Sequence, residues 1–107
     1  MVLDDQYAFL SGLVAADFPA GLEVLGDVAA ETRAVLGVIG EILDELTLSR
    51  ERMVKVEVHL ADLDDFDAMD AAYREFFADG AYPARTTTES KRLFGDSKVE
   101  ITCQVRR

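Results

Sequence analysis

Two ionisable residues on otherwise apolar or β-branched stretches are the best candidates for chemistry in this chain. Arg85 lies in Pro83-Ala84-Arg85-Thr86-Thr87, and Glu100 follows fifteen residues later in Val99-Glu100-Ile101. Both stretches read as β-strands. A guanidinium on a strand is costly to bury unless it meets an anion, and its planar fork matches a carboxylate. The two residues therefore point to a site for a small carboxylic acid, with Glu100 placed to direct water or carry protons. The plainer alternative is a structural ion pair between Arg85 and Glu100 at an interface.

Other candidates carry less. His59 is the only histidine. Neither a His-based metal site nor a Ser-His-Asp triad can be built around it, and it reads as a surface or interface residue. Cys103 falls on the apolar side of its segment and reads as a small core residue. The acidic run Asp62-Leu63-Asp64-Asp65 lacks the alternating ligands and glycine of a calcium loop, so a helix cap and a solvated turn account for it. Phe66, Met69, Tyr73, Phe76 and Phe77 recur at helical spacing and read as core. There is no glycine-rich phosphate loop and no dinucleotide fingerprint, and no metal or organic cofactor is implied.

Composition narrows the classes further. A length of 107 residues makes one domain, 1–107. Half the residues are hydrophobic, enough for a core. So short a chain buries roughly 65% of its unfolded surface, and an oligomer interface would add to that. The net charge of −10 argues against a nucleic-acid partner, because phosphate binding needs clustered Lys and Arg. The single cysteine excludes an internal disulfide and fits a reducing cytoplasm. No apolar run reaches the roughly 18 residues of a membrane span, and the N-terminus lacks a signal pattern, so a cytoplasmic protein without a membrane partner is expected.

The elements that must position Arg85 and Glu100 follow from periodicity. Met1-Val2-Leu3 reads as a very short extended piece, and Gln6 to Val14 as a strand. Asp17 to Gly26 reads as loop, with both prolines, Pro19 and Pro83, in loops or at strand starts. From Asp27, a plausible N-cap, Val28, Thr32, Val35, Leu36, Ile39, Leu43 and Leu46 mark one face of a helix. Gly37 and Gly40 inside it suggest close packing on a sheet. Met53 to Leu60 alternates, with Val54, Val56, Val58 and Leu60 on one face and Lys55, Glu57 and His59 on the other. Asp64 or Asp65 caps a second helix that Gly80 ends. Ala84 to Glu89 is a third strand, Lys91 to Asp96 a loop, and Lys98 to Val105 a last strand. The order gives an α+β layer: a mixed sheet with both helices on one face. Its other face is left bare, a natural surface for oligomer formation.

A set of segments in this order resembles the YjgF/Rid family of enamine/imine deaminases, also labelled endoribonuclease L-PSP. They are Phe9-Leu10-Ser11-Gly12, Glu31 to Leu36, Val54 to Asp62, Asp65 to Tyr73, Phe76-Phe77, Pro83-Ala84-Arg85-Thr86 and Val99-Glu100-Ile101. The resemblance covers the chain from about Gln6 onward. It implies a chorismate-mutase-like fold and a homotrimer whose sheets form a central β-barrel, with ligand clefts between subunits. It also implies that Arg85 grips a substrate carboxylate, that Glu100 positions or activates water, and that Ser11 and Gly12 line the cleft. From the residues alone, Ser11-Gly12 is equally a strand bulge or turn.

Three positions depart from the family's pattern. Thr87 stands where the deaminase branch often has cysteine, and still offers a hydroxyl. Asp70 stands where asparagine is common; it reads as a solvated helix residue, with pairing to Arg85 as the alternative. The family's N-terminal proline-tyrosine-serine-glutamine run has no match, leaving Tyr82 or Tyr7 to replace the tyrosine that closes its cleft. The expected function is hydrolysis of small enamine or imine carboxylic acids of the 2-aminoacrylate or 2-iminopropionate type to 2-keto acids and ammonia. A non-catalytic trimeric binder or sensor of carboxylic-acid metabolites is the rival expectation. Ribonuclease action is a weaker third, disfavoured by the charge.

Overall fold

Each stretch of period two becomes a strand, and each long stretch of period 3.6 a helix, in the computed structural model, which describes residues 1–107. The strands are β1 (Val2–Leu3), β2 (Tyr7–Val14), β3 (Met53–Leu60), β4 (Ala84–Glu89) and β5 (Val99–Arg106). The helices are α1 (Pro19–Leu22), α2 (Val28–Glu45) and α3 (Phe66–Phe76). They build one mixed sheet in the order β1-β2-β5-β3-β4. Only β3 and β4 run parallel, and α3 supplies the crossover that a parallel pair requires.

The core lies between the sheet and the two long helices. Leu10, Val56, Val58, Leu60, Ile101 and Val105 on the strands pack with Val35, Leu36, Ile39 and Leu43 of α2 and Met69 and Tyr73 of α3. Cys103 is buried among them, and burial pushes its thiol up to about 12, so it stays protonated. No helix is long and apolar enough to cross a membrane.

Several expectations are corrected. The stretch read as loop from Asp17 contains α1, with Pro19 at the first helical position, where its missing N–H costs nothing. At the start of β3 it is Met53, not Val54, that enters the core, because the pairing with β5 shifts register between Met53 and Lys55. Neither Gly37 nor Gly40 packs on the sheet. Gly37 has open space beside it, and Gly40 faces the Phe76 ring of α3. A short turn, Phe94–Asp96, interrupts the loop before β5. The side chain that caps the acidic run is Asp62, which accepts from the Asp64 N–H at 2.9 Å; Asp65 holds the N-cap position of α3 without a side-chain bond.

Asp27 caps α2 as expected, its Oδ1 accepting from the Ala30 N–H at 3.1 Å. One turn on, Glu31 is fully buried. Its carboxylate accepts from the Gly26 N–H at 2.7 Å and from the Lys98 N–H at 2.8 Å. It thus ties the entry of α2 to the entry of β5. Gly26 has φ +99°, a backbone conformation that glycine adopts without strain.

The sheet's other face has no covering layer. Lys55, Glu57 and His59 on β3, Thr86 and Thr88 on β4, and Glu100, Thr102 and Gln104 on β5 lie there. His59 Nδ1 and Thr88 Oγ1 are hydrogen-bonded at 2.9 Å across this face.

Candidate functional site

Arg85 and Glu100 belong to opposite faces of the same sheet. Arg85 pairs in register with Val56, whose side chain is buried beneath the helices. Glu100 pairs with His59 on the uncovered face. Side chains paired in register share a face, so within one protomer the two groups cannot meet. The structural Arg85–Glu100 pair is excluded inside the chain.

On the helix side, Arg85 reaches from the edge strand toward α3. Its Nη1 donates to Asp70 Oδ1 at 2.8 Å, while Nε and Nη2 have no partner. The guanidinium lies over the Tyr73 ring at 4.6 Å and within 5.4 Å of the Phe66 ring, stacking that suits its planar, weakly hydrated charge. Asp70 is not the solvated residue expected from its helix position. It is held between two cations, its Oδ2 accepting from Arg74 Nε at 3.0 Å. Burial alone would raise its carboxyl, but the hydrogen bonds and charges of Arg85 and Arg74 together outweigh that and hold it below the usual carboxylate range.

These groups wall a cavity of about 390 Å³ lined by Asp70, Tyr73, Arg74, Tyr82, Pro83 and Arg85. Tyr73 is 2% exposed and its hydroxyl has no partner. Burial pushes that hydroxyl up to about 12, so it remains a protonated donor. Thr87 lies on the same face of β4 as Arg85, its Oγ1 also buried without a partner. These are the only two buried side-chain polar atoms left unsatisfied. Of the two tyrosines considered for closing a cleft, Tyr82 lines this cavity, whereas Tyr7 lies at the far edge beside Arg106.

On the uncovered face, Gly12 meets Glu100 and Ser11 meets Thr102. Between Leu10 and Leu13, β2 carries one residue more than β5, a bulge centred on Ser11-Gly12. The bulge reading of this dipeptide is therefore right, and the bulge sets Gly12 against Glu100. Ser11 Oγ lies 3.4 Å from Thr102 Oγ1. The Glu100 carboxylate rests so close to the Gly12 backbone that a β-carbon there would overlap its Oε1. Glycine is what lets the carboxylate approach. No three His, Cys, Asp or Glu side chains converge as a metal ion would require.

Sequence reasoning brought Arg85 and Asp70 forward but missed the contributions of Tyr73 and Arg74. Tyr73 sits on the apolar stripe of its helix and cannot be told from core by spacing. The i, i+4 relation of Asp70 and Arg74 was the available signal.

The family model described as endoribonuclease L-PSP matches residues 1–106. A human protein named 2-iminobutanoate/2-iminopropanoate deaminase is 34% identical over 100 residues, covering 94% of this chain and 72% of that protein. A RutC family protein of Synechocystis is 35% identical over 99 residues, covering 91% and 75%. Among solved structures, the YjgF gene product of E. coli superposes with a TM-score of 0.85 at 31% identity, covering 99% of this chain and 84% of that one. E. coli TdcF with bound serine gives 0.85 at 28% identity, covering 99% and 84%.

Proposed function

The chain belongs to the endoribonuclease L-PSP family, and we propose that within it this protein hydrolyses small imine or enamine carboxylic acids to 2-keto acids and ammonia. The observation that carries this reading is the Arg85 guanidinium. One edge is anchored to Asp70 and the Nε/Nη2 edge is unpartnered at the wall of a cavity, the fork a substrate carboxylate would fill. Support also comes from the human relative named for such a reaction and from TdcF, which binds serine, a molecule with the same carboxylate.

The chemistry needs little more than position. Arg85 holds the carboxylate. Glu100 accepts a proton from water as the oxygen attacks the imine carbon. It returns that proton to the nitrogen to give a carbinolamine, then carries the carbinolamine's O–H proton to the same nitrogen, so that the C–N bond breaks, ammonia leaves and the C=O of the keto acid forms. Ser11, Gly12 and Thr87 supply polar contacts. Because the two principal residues stand on opposite faces of one sheet, the site is formed between protomers, Arg85 from one and Glu100 from its neighbour. A homotrimer built on the uncovered face is the arrangement we propose.

The rival reading is a trimeric binder without catalysis. It is favoured by Asp70, which already occupies one edge of Arg85. The net charge of −10 speaks against ribonuclease action. The test is direct. 2-Iminopropionate is generated in situ with an amino-acid oxidase and trapped with semicarbazide. A deaminase lowers the trapped fraction, and Arg85→Ala abolishes the effect. A folded oligomer that leaves the trapped fraction unchanged would support the binder instead.

A further inference from the structure

The cavity beside α3 holds two guanidiniums, and each has an unused edge. Arg85 gives only Nη1 to Asp70 Oδ1, at 2.8 Å, and Arg74 gives only Nε to Asp70 Oδ2, at 3.0 Å. The Nε/Nη2 side of Arg85 and the Nη1/Nη2 end of Arg74 are therefore free to donate. Both residues line the same cavity, at different depths. The Arg85 side chain is 21% exposed and that of Arg74 68% exposed, so Arg85 makes an inner anion position and Arg74 one at the mouth. A single carboxylate spaces the two: bonded to opposite oxygens of Asp70, the donor nitrogens are at most about 8 Å apart. A four- or five-carbon chain with a carboxylate at each end covers that span. The Tyr73 hydroxyl, buried and without a protein partner, offers a further donor in the same wall.

Resting on the carboxylate-binding reading of Arg85 above, we propose that Arg74 is a second anion-binding position, and that this cavity takes four- and five-carbon dicarboxylic imino or keto acids, one carboxylate on Arg85 and the other on Arg74. The charges permit it. With Tyr73 protonated, the empty walls carry two positive groups and one negative. A first carboxylate on Arg85 brings the sum to zero and leaves the outer end of Arg74 free. A second carboxylate meets that end directly, as a planar fork that matches its two oxygens. The one negative charge left over lies at the mouth, where water and salt screen its repulsion from Asp70. Asp70 serves as the spacer: its i, i+4 bond holds the stem of Arg74 at the cavity while sparing the end that binds. An exposed ion pair is a small contributor, so the preference over a monoacid of the same length is about two- to fivefold.

The experiment is calorimetric titration of the intact protein with 2-oxoglutarate and with 2-oxopentanoate, the monoacid of equal carbon count, for the wild type, Arg74→Gln, Arg74→Glu and Arg85→Ala. The expected result is that the wild type binds 2-oxoglutarate about two- to fivefold more tightly than 2-oxopentanoate. Arg74→Gln should erase that preference, and Arg74→Glu should reverse it to about tenfold in favour of the monoacid, because attraction is replaced by repulsion. Arg85→Ala should weaken both acids. If Arg85→Ala weakens both but the ratio is unchanged in the two Arg74 variants, or if the wild type favours the monoacid, the Arg74 position is wrong and the Arg85 anchor stands. If the wild type binds neither acid, or Arg85→Ala binds both unchanged, the anchor reading itself fails and this inference with it. A merely structural role for Arg74 would move both affinities together; only the second position makes the ratio depend on its charge.

Discussion

The Glu100 carboxylate lies against the Gly12 backbone, where any β-carbon would collide with it. The bulge in β2 and the glutamate of β5 are thus one construction, and the absent side chain at position 12 defines where the carboxylate can rest. Gly12→Ala should leave the fold intact, since the obstructed atoms are the far end of a flexible side chain, but displace Glu100. Imine hydrolysis should fall about tenfold or more while the thermal midpoint moves by only a few degrees. Parallel assays of turnover and thermal unfolding check this; unchanged turnover would separate Gly12 from the site.

Tyr73 carries a buried hydroxyl that no protein group satisfies. If its partner is the ligand, Tyr73→Phe should not reduce stability and could raise it slightly, because an unpaired buried hydroxyl is removed. Affinity for a small carboxylic acid should fall by up to about tenfold, the worth of one hydrogen bond. Urea unfolding together with a ligand titration distinguishes this from a packing role, in which stability would fall and affinity would hold.

Glu31 is a structural carboxylate that accepts two backbone N–H groups from separate segments. Glutamine in its place keeps one acceptor and turns an amide donor toward the other N–H. Glu31→Gln should therefore cost about 1–3 kcal/mol in urea unfolding, with no change in the ligand preference of the surviving folded protein.

Asp70 should leave a signature in the pH dependence of stability. Its folded carboxyl sits below the ordinary value of 3.8. The contribution of the Arg85 and Arg74 contacts is then fully present above that value and lost as pH falls through the lower, folded one. The stability difference between wild type and Asp70→Asn should be constant from about pH 5 to 7 and shrink below pH 4. Urea midpoints measured at pH 7 and pH 3 test the sign; a difference that grows toward acid would contradict it.

The sequence made much of the fold legible because periodicity reports burial directly. Val56, Val58 and Leu60 alternate as strand residues, and the apolar face of α2 recurs every three or four positions. What escaped were features without a periodic signal: the register shift that exchanges Met53 for Val54, the short helix begun by Pro19, and the two bonds of buried Glu31. The site shows the same division. Val99 and Ile101 flank Glu100, so the parity of β5 was readable and Glu100 had to face away from the core. Ala84-Arg85-Thr86-Thr87-Thr88 offers no apolar alternation, so nothing in the sequence told which face Arg85 would take. That is why the separation of the two residues by the thickness of the sheet could not be read before the fold was known.

The separation makes complementation between protomers the most direct test. Arg85→Ala and Glu100→Gln, each inactive alone, are co-expressed with different tags and purified as mixed assemblies. If each site takes its arginine from one protomer and its glutamate from the next, random mixing restores roughly one quarter of the sites, and imine hydrolysis returns to about that fraction of the wild-type rate. Mixed assemblies no more active than either parent would contradict a shared site between Arg85 and Glu100.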